Sequence, residues 1–252
     1  MLEAGKRWAK RVLLVTSAEP LAQRATVSRV QRANVVRGIV VPLWSMSDAH
    51  HDSRVGRSGA LLDTRKGILR WTRDDASALG LAMLDKFNVS TLPAWVRWLR
   101  DHRMREAVFV YGRSAALWQA MPEADLPTLT ETHDALLRAR ETAREVGLEL
   151  WASGLPRCMV PEGVELFEAA RPFDERVRPG GEPENLSIAR RREHKRFHDS
   201  CEGCTLAGEC EGVWRAAPDA PAALRPARDA AEPARLPLAQ KAQPSESALR
   251  AR

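Results

Sequence analysis

Three of the four cysteines in the chain, Cys201, Cys204 and Cys210, stand in the spacing C-x2-C-x5-C. The fourth, Cys158, lies upstream in the segment LPRCMV. A C-x2-C turn points two thiolates at one centre, and Gly203 and Gly212 sit where backbone must pass close to it. Four soft sulfur ligands suit a tetrahedral zinc ion or an iron–sulfur cluster, and spacing alone does not separate the two. A zinc ribbon carries a second C-x2-C pair, which this sequence lacks. A structural disulfide is disfavoured, because no secretory signal is read at the N-terminus and thiols stay reduced inside cells.

The cysteines must be positioned by what precedes them. The chain has 252 residues and a formal net charge of +6, enough length for one large or two small domains. Positive charge is interspersed with acid rather than massed, and aromatic residues are not interleaved with it, so nucleic acid is not an expected partner. No apolar run reaches the length of a membrane span. The expected location is cytoplasmic, with no membrane partner.

Short apolar runs alternate with helical periodicity. Runs at 12–18, 35–44, 78–84, 107–111 and 148–154 read as strands buried on both faces. Helical patterns cover 21–31, 62–74 (with Leu62, Ile68, Leu69 and Trp71 inward), a segment carrying Trp95, Val96, Trp98 and Leu99, and 126–145. Ser90 or Thr91 can cap the third of these, and a capping-box pattern at Thr128–Glu131 starts the fourth. Pro42 marks a frayed or bulged strand end. The first residues, with Leu2 and Trp8 on one face, read as the end of a helix. Strands separated by crossover helices pair in parallel through right-handed connections. The expected class is therefore α/β: a partial (β/α) barrel of about five parallel strands over 1–155, a cysteine-rich extension over 156–215, and a disordered Ala/Pro/Arg-rich tail over 216–252. Chemistry in such sheets gathers at the carboxyl ends of the strands. Cys158 falls at that rim, which allows one four-sulfur site on top of the sheet.

The order of these pieces resembles the later part of a radical S-adenosylmethionine enzyme. The matching stretches are LLVTSA at 13–18, VPLWSMSDAHHD at 41–52, LDKFNVSTLPAWVRWL at 84–99, and GLPRCMV at 154–160 followed by CEGCTLAGECEGVW at 201–214. The resemblance runs over about 4–215, and the cysteine element is its specific part. It implies an auxiliary [4Fe–4S] cluster on Cys158, Cys201, Cys204 and Cys210. It also implies S-adenosyl-L-methionine as a second ligand, with Ser45 near its ribose or carboxylate and Asn88 near the adenine side. The family's defining C-x3-C-x2-C does not occur in this sequence, which reads as beginning inside the second helix of such a barrel. Radical chemistry then requires the N-terminal half from a second chain completing the barrel, or from an upstream start. Whether the chain is an enzyme is left open, as is its peptide or small-molecule substrate. The rival reading is a non-catalytic, zinc-stapled α/β binding module.

Other residues carry weaker signals. Ser45 also reads as a plain turn residue, and Asn88 as a cap for the next helix. His50, His51 and Asp52 read as a solvated loop after the second strand. His194 and His198 share a helical spacing, and His198 is a substitute ligand should Cys158 not serve. The Arg190–Arg192 run reads as a solvated face. The GGEP at 180–183 matches the family's methionine-binding motif in letters, but it follows the whole sheet among charges and reads as an ordinary loop, so Glu182 has no assigned role. Trp44 and Trp151 are placed to wall a pocket, whereas Trp95, Trp98 and Trp118 are expected to pack helices.

Overall fold

The computed structural model describes residues 12–112, 122–167, 195–225 and 227. The helix around Leu2 and Trp8, Trp118, the GGEP motif, Arg190–Arg192 and His194 lie outside them.

Six strands form one parallel sheet in strictly sequential order: β1 (Val12–Val15), β2 (Val36–Leu43), β3 (Ser77–Met83), β4 (Glu106–Val110), β5 (Glu149–Ser153) and β6 (Glu165–Leu166). Each pairs in parallel with the next. Among the described residues the sheet is open, and the sequence reading of about five strands is short by β6, whose two residues leave no periodic signal. Among the described residues five helices of eight or more residues fill the crossovers: α1 (Arg24–Arg32), α2 (Asp48–Val55), α3 (Ala60–Trp71), α4 (Leu92–Asp101) and α5 (Leu129–Val146). Right-handed crossovers between strands in sequential order carry their helices to the same face.

The central strands lack polar alternation because both their faces are covered. In β3 every residue after Ser77 is buried, and in β4 every residue after Glu106. Trp71 and Trp95 are fully buried against this layer. At the edge, β1 alternates and exposes Leu13 and Val15. Pro42 lies inside β2, paired with Leu81, rather than at a frayed end. It is tolerated there because β1 pairs only as far as Val40, so the missing N–H falls beyond the end of that neighbour.

Three further expectations are corrected. Residues 48–55 are helical, not a solvated loop, and His51 is buried. In α3 the inward stripe runs through Leu61, Thr64, Ile68 and Trp71, while Leu62 and Leu69 are exposed. Thr64 hides this stripe from a purely apolar count, although its hydroxyl is satisfied by the Ser17 carbonyl at 2.9 Å. Neither Asn88 nor Thr91 caps the next helical turn through its side chain. The capping box at Thr128 and Glu131 is present at the start of α5.

Residues 216–225, assigned by composition to a disordered tail, are folded. They form a strap with one short helix, α6 (Ala220–Ala223), and they bury Ala217, Ala223 and Leu224. Asp219 accepts the N–H groups of Leu129 (2.7 Å) and Thr130 (3.1 Å) at the start of α5. These are donors that no turn of that helix can satisfy. An isolated Asp in an Ala/Pro run carries no signal of so distant a partner.

Candidate metal centre

Cys158 arrives directly from β5. After Ser153 the chain turns through Gly154 and enters a single 3-10 turn, Arg157–Met159, whose Met159 is fully buried. His133 of α5 holds this turn: its Nδ1 lies 3.1 Å from the Met159 carbonyl, and its Nε2 lies 3.3 Å from the Arg225 guanidinium. Both contacts are met by one neutral tautomer, with the proton on Nδ1.

The other three cysteines lie in a loop closed by a small antiparallel ladder, β7 (Lys195–Arg196) and β8 (Val213–Trp214). Gly212 makes this closure possible. Its φ is +79°, and a Cβ there would come within 2.5 Å of the Arg196 carbonyl. The loop is tied at its end to the rim of the sheet and at its middle to the segment that follows the strap. The Trp214 indole N–H donates to the Gly154 carbonyl at 2.7 Å, and the Thr205 N–H donates to the Ala227 carbonyl at 3.0 Å. Lys195 is buried, with its ammonium 3.1 Å from Glu211 and 5.1 Å from the Trp214 ring centroid.

These supports bring Cys158, Cys201, Cys204 and Cys210 to the walls of one cavity of about 20 Å³. Its remaining lining is largely apolar, including Pro156, Phe197, Leu206 and Leu224. All four cysteines are free thiols and partly buried. The sulfur of Cys210 accepts the backbone N–H groups of Arg157 and Gly212, each at 3.4 Å. Burial pushes the Cys158 thiol up, the Arg225 backbone N–H opposes this, and the other three cysteines push upward again. Burial keeps the Cys158 thiol protonated, and ligation of a metal would require it to release that proton. The N–H donors aimed at sulfur fit a bound, deprotonated set. Among the described residues, no group of three or more His, Cys, Asp or Glu side chains is arranged to hold a single metal ion.

Ser45 and Asn88 lie elsewhere, at the carboxyl ends of β2 and β3. Both are buried. Ser45 Oγ accepts the Ser47 N–H at 3.0 Å, as a turn residue does. The Asn88 amide nitrogen donates to the carbonyls of Trp44 (2.9 Å) and Met83 (2.8 Å), and its oxygen accepts the Asp85 N–H at 3.0 Å. That side chain ties two strand ends together.

The same rim carries a charged network that sequence reading passes over. The fully buried Asp85 accepts the N–H groups of Phe87 and Asn88 on one oxygen. Its other oxygen lies 3.1 Å from His50 Nε2 and 3.2 Å from Arg54, which also reaches Asp125 at 2.8 Å. Its members come from α2, the end of β3 and the turn before α5, so no local spacing reveals it. His51 and Asp52, by contrast, serve the local backbone. His51 Nδ1 accepts the Trp44 N–H at 3.3 Å, and Asp52 accepts the N–H groups of Gly59 and Leu61. Those backbone bonds, that from Leu61 foremost, hold the Asp52 carboxyl below its usual range.

Fold and site define a class: an α/β protein with a sequentially ordered parallel sheet and a four-thiol cavity above its carboxyl edge. Compared with known proteins, the chain matches no protein-family model and no curated sequence. No helix among the described residues is long and apolar enough to cross a membrane.

Proposed function

We propose that the chain binds an iron–sulfur cluster through Cys158, Cys201, Cys204 and Cys210, on a segment of (β/α) barrel like that of radical S-adenosylmethionine enzymes. The observation that carries this reading is the convergence of four thiols, from two separate segments, on one apolar cavity. Sequential strand order supports the barrel component, since a doubly wound sheet reverses its strand order at a switch point. The backbone N–H bonds to Cys210 support thiolate ligation. When bound, a four-cysteine cluster supplies one-electron chemistry with no open iron position. The chain's own residues hold it: β5 and His133 place Cys158, the β7–β8 ladder places the other three, and the 216–225 strap closes over them.

The resemblance further implies S-adenosyl-L-methionine at the rim and a second chain completing the barrel beside β1, in the cytoplasm. The exposed Leu13 and Val15 of that edge support the second chain. A zinc ion on the same four cysteines is the second reading, supported by the same convergence of thiols. Iron, zinc and acid-labile sulfide, measured on protein purified without oxygen, separate the two. About four irons and four sulfides per chain, lost in Cys204→Ala, establish the cluster. One zinc and no sulfide overturn it in favour of the zinc-stapled module.

A further inference from the structure

A second cavity, of about 360 Å³, lies beside the start of β5. It exists because β6 is short. β6 pairs only with Trp151 and Ala152, so among the described residues no strand lies against 148–150 on that side. The end of α5 contributes Arg140 and Arg144 to the lining, and the strands contribute Glu149, Leu150, Trp151 and Glu165. The two arginines are four apart and share a helix face. Arg140 is held by the Glu162 carbonyl, to which its Nη1 donates at 2.7 Å. Gly163 leaves room for Arg144: a Cβ there would come within 2.9 Å of that guanidinium. Although they share one cavity, these cations and carboxylates do not pair with one another. Among the described residues the side chains of Arg144, Glu149 and Glu165 make no hydrogen bond or ion pair at all.

We infer that this cavity binds a free amino acid with an apolar or aromatic side chain. Arg144, with Arg140 beside it, takes the carboxylate, Glu149 and Glu165 take the ammonium, and the side chain lies against Trp151 and Leu150. Charge narrows the ligand to this class. The two carboxylates repel a polyanion such as a nucleotide, and the two guanidiniums repel a polyamine or a metal ion, whereas a zwitterion meets both signs. Size agrees, since the volume is at the low end of the range of about 300–1,000 Å³ typical of small-molecule sites. The apolar part is preformed: the Trp151 ring is set edge-on to buried Phe167, with centroids 6.3 Å apart. This cavity shares no residue with that of the four thiols, so it stands whichever metal that centre holds.

The test is isothermal titration calorimetry on the full chain, with L-phenylalanine as the probe. Phenylpropanoate, which lacks the ammonium, and phenethylamine, which lacks the carboxylate, are its singly charged analogues. Arg144→Gln and Glu165→Gln remove one charge each, and Lys66→Ala is a distant surface control. Arg144 and Glu165 are exposed, so both variants are expected to fold, which circular dichroism checks. Should either not fold, the two analogues on the wild type decide. The wild type is expected to bind L-phenylalanine and each analogue about tenfold or more weakly, as for the loss of one charged hydrogen-bonded contact. Each charge variant is expected to bind L-phenylalanine weaker by the same factor, and the control to match the wild type. No binding of L-phenylalanine up to about 10 mM overturns the inference. An analogue that binds as tightly as the amino acid overturns recognition of a zwitterion. Wild-type affinity in both charge variants puts the ligand elsewhere and overturns the site.

Discussion

The indole N–H of Trp214 donates to the carbonyl of Gly154 at 2.7 Å, and this bond joins the cysteine loop to the rim of the sheet. Gly154 has φ +80°, and a Cβ at that position would run into the Tyr111 carbonyl. The junction therefore depends on a bare backbone facing a large aromatic ring. Trp214→Phe keeps most of the apolar contact but removes this hydrogen bond, a loss of about 0.5–1.5 kcal/mol. Gly154→Ala adds strain of about 1–3 kcal/mol. Urea unfolding checks both, and hydrogen exchange over 201–210 is expected to rise in each variant. Unchanged exchange in that loop would show that Trp214 does not anchor it.

Asp219 caps α5 from a segment that follows the cysteine loop, so the strap and that helix are expected to lose order together. Asp219→Ala removes the acceptor of the Leu129 and Thr130 N–H groups. The expected cost is about 0.5–2 kcal/mol, typical of a lost N-cap. Because Leu224 and the Arg225 backbone reach the thiol cavity from the same strap, metal retention under a competing chelator is expected to fall as well. Asp219→Asn, which keeps an acceptor, is expected to recover most of both losses.

The central strands are legible in the sequence because double-sided burial leaves unbroken apolar runs such as ALGLAML, and β1 is legible as an apolar run although Leu13 and Val15 are exposed. The short β6 has too few residues to show a pattern. Helix α2 is hidden by its own composition: DAHHDSRV holds six polar or charged side chains and no apolar face, with His50 and Arg54 answering a distant carboxylate and His51 and Asp52 the nearby backbone. The four thiols are legible through spacing and their place at a strand end. Their supports are not, because His133, Asp219, Arg225 and Trp214 act across long sequence separations. The strap at 216–225 reads as tail because alanine and proline predominate there, while three small burials and one carboxylate suffice to dock it.

Asp85 is expected to be the most sensitive charged position in the sheet rim. It is fully buried and meets His50, Arg54 and two backbone N–H groups. Asp85→Ala leaves these donors facing an apolar void, and breaking a buried pair from one side costs about 3–5 kcal/mol. Arg54→Met is expected to cost less, since Asp85 keeps its other partners. A double-mutant cycle read by chemical denaturation is expected to give a coupling of about 0.5–3 kcal/mol between Asp85 and Arg54. Additive losses would mean that the two charges do not stabilise one another.

His51 gives the fold an acid-sensitive term whose sign follows from its burial. Burial lowers its pKa from the ordinary histidine value, against the opposing pull of Asp52 and Asp48. Its Nδ1 accepts the Trp44 N–H, a role open only to the neutral ring. The unfolded chain therefore binds a proton at this residue more readily than the folded one. Stability from this source is complete above pH of about 6.5, the value of an unperturbed histidine. It is lost as pH falls from there toward the lowered folded value, below which it changes no further. His51→Asn offers a side-chain oxygen near the place of Nδ1 but does not titrate. Unfolding free energies measured from pH 8 to pH 5 are expected to fall more steeply in the wild type than in His51→Asn, with the two curves running parallel above about pH 7. Equal slopes throughout would place the acid sensitivity of the fold on other groups.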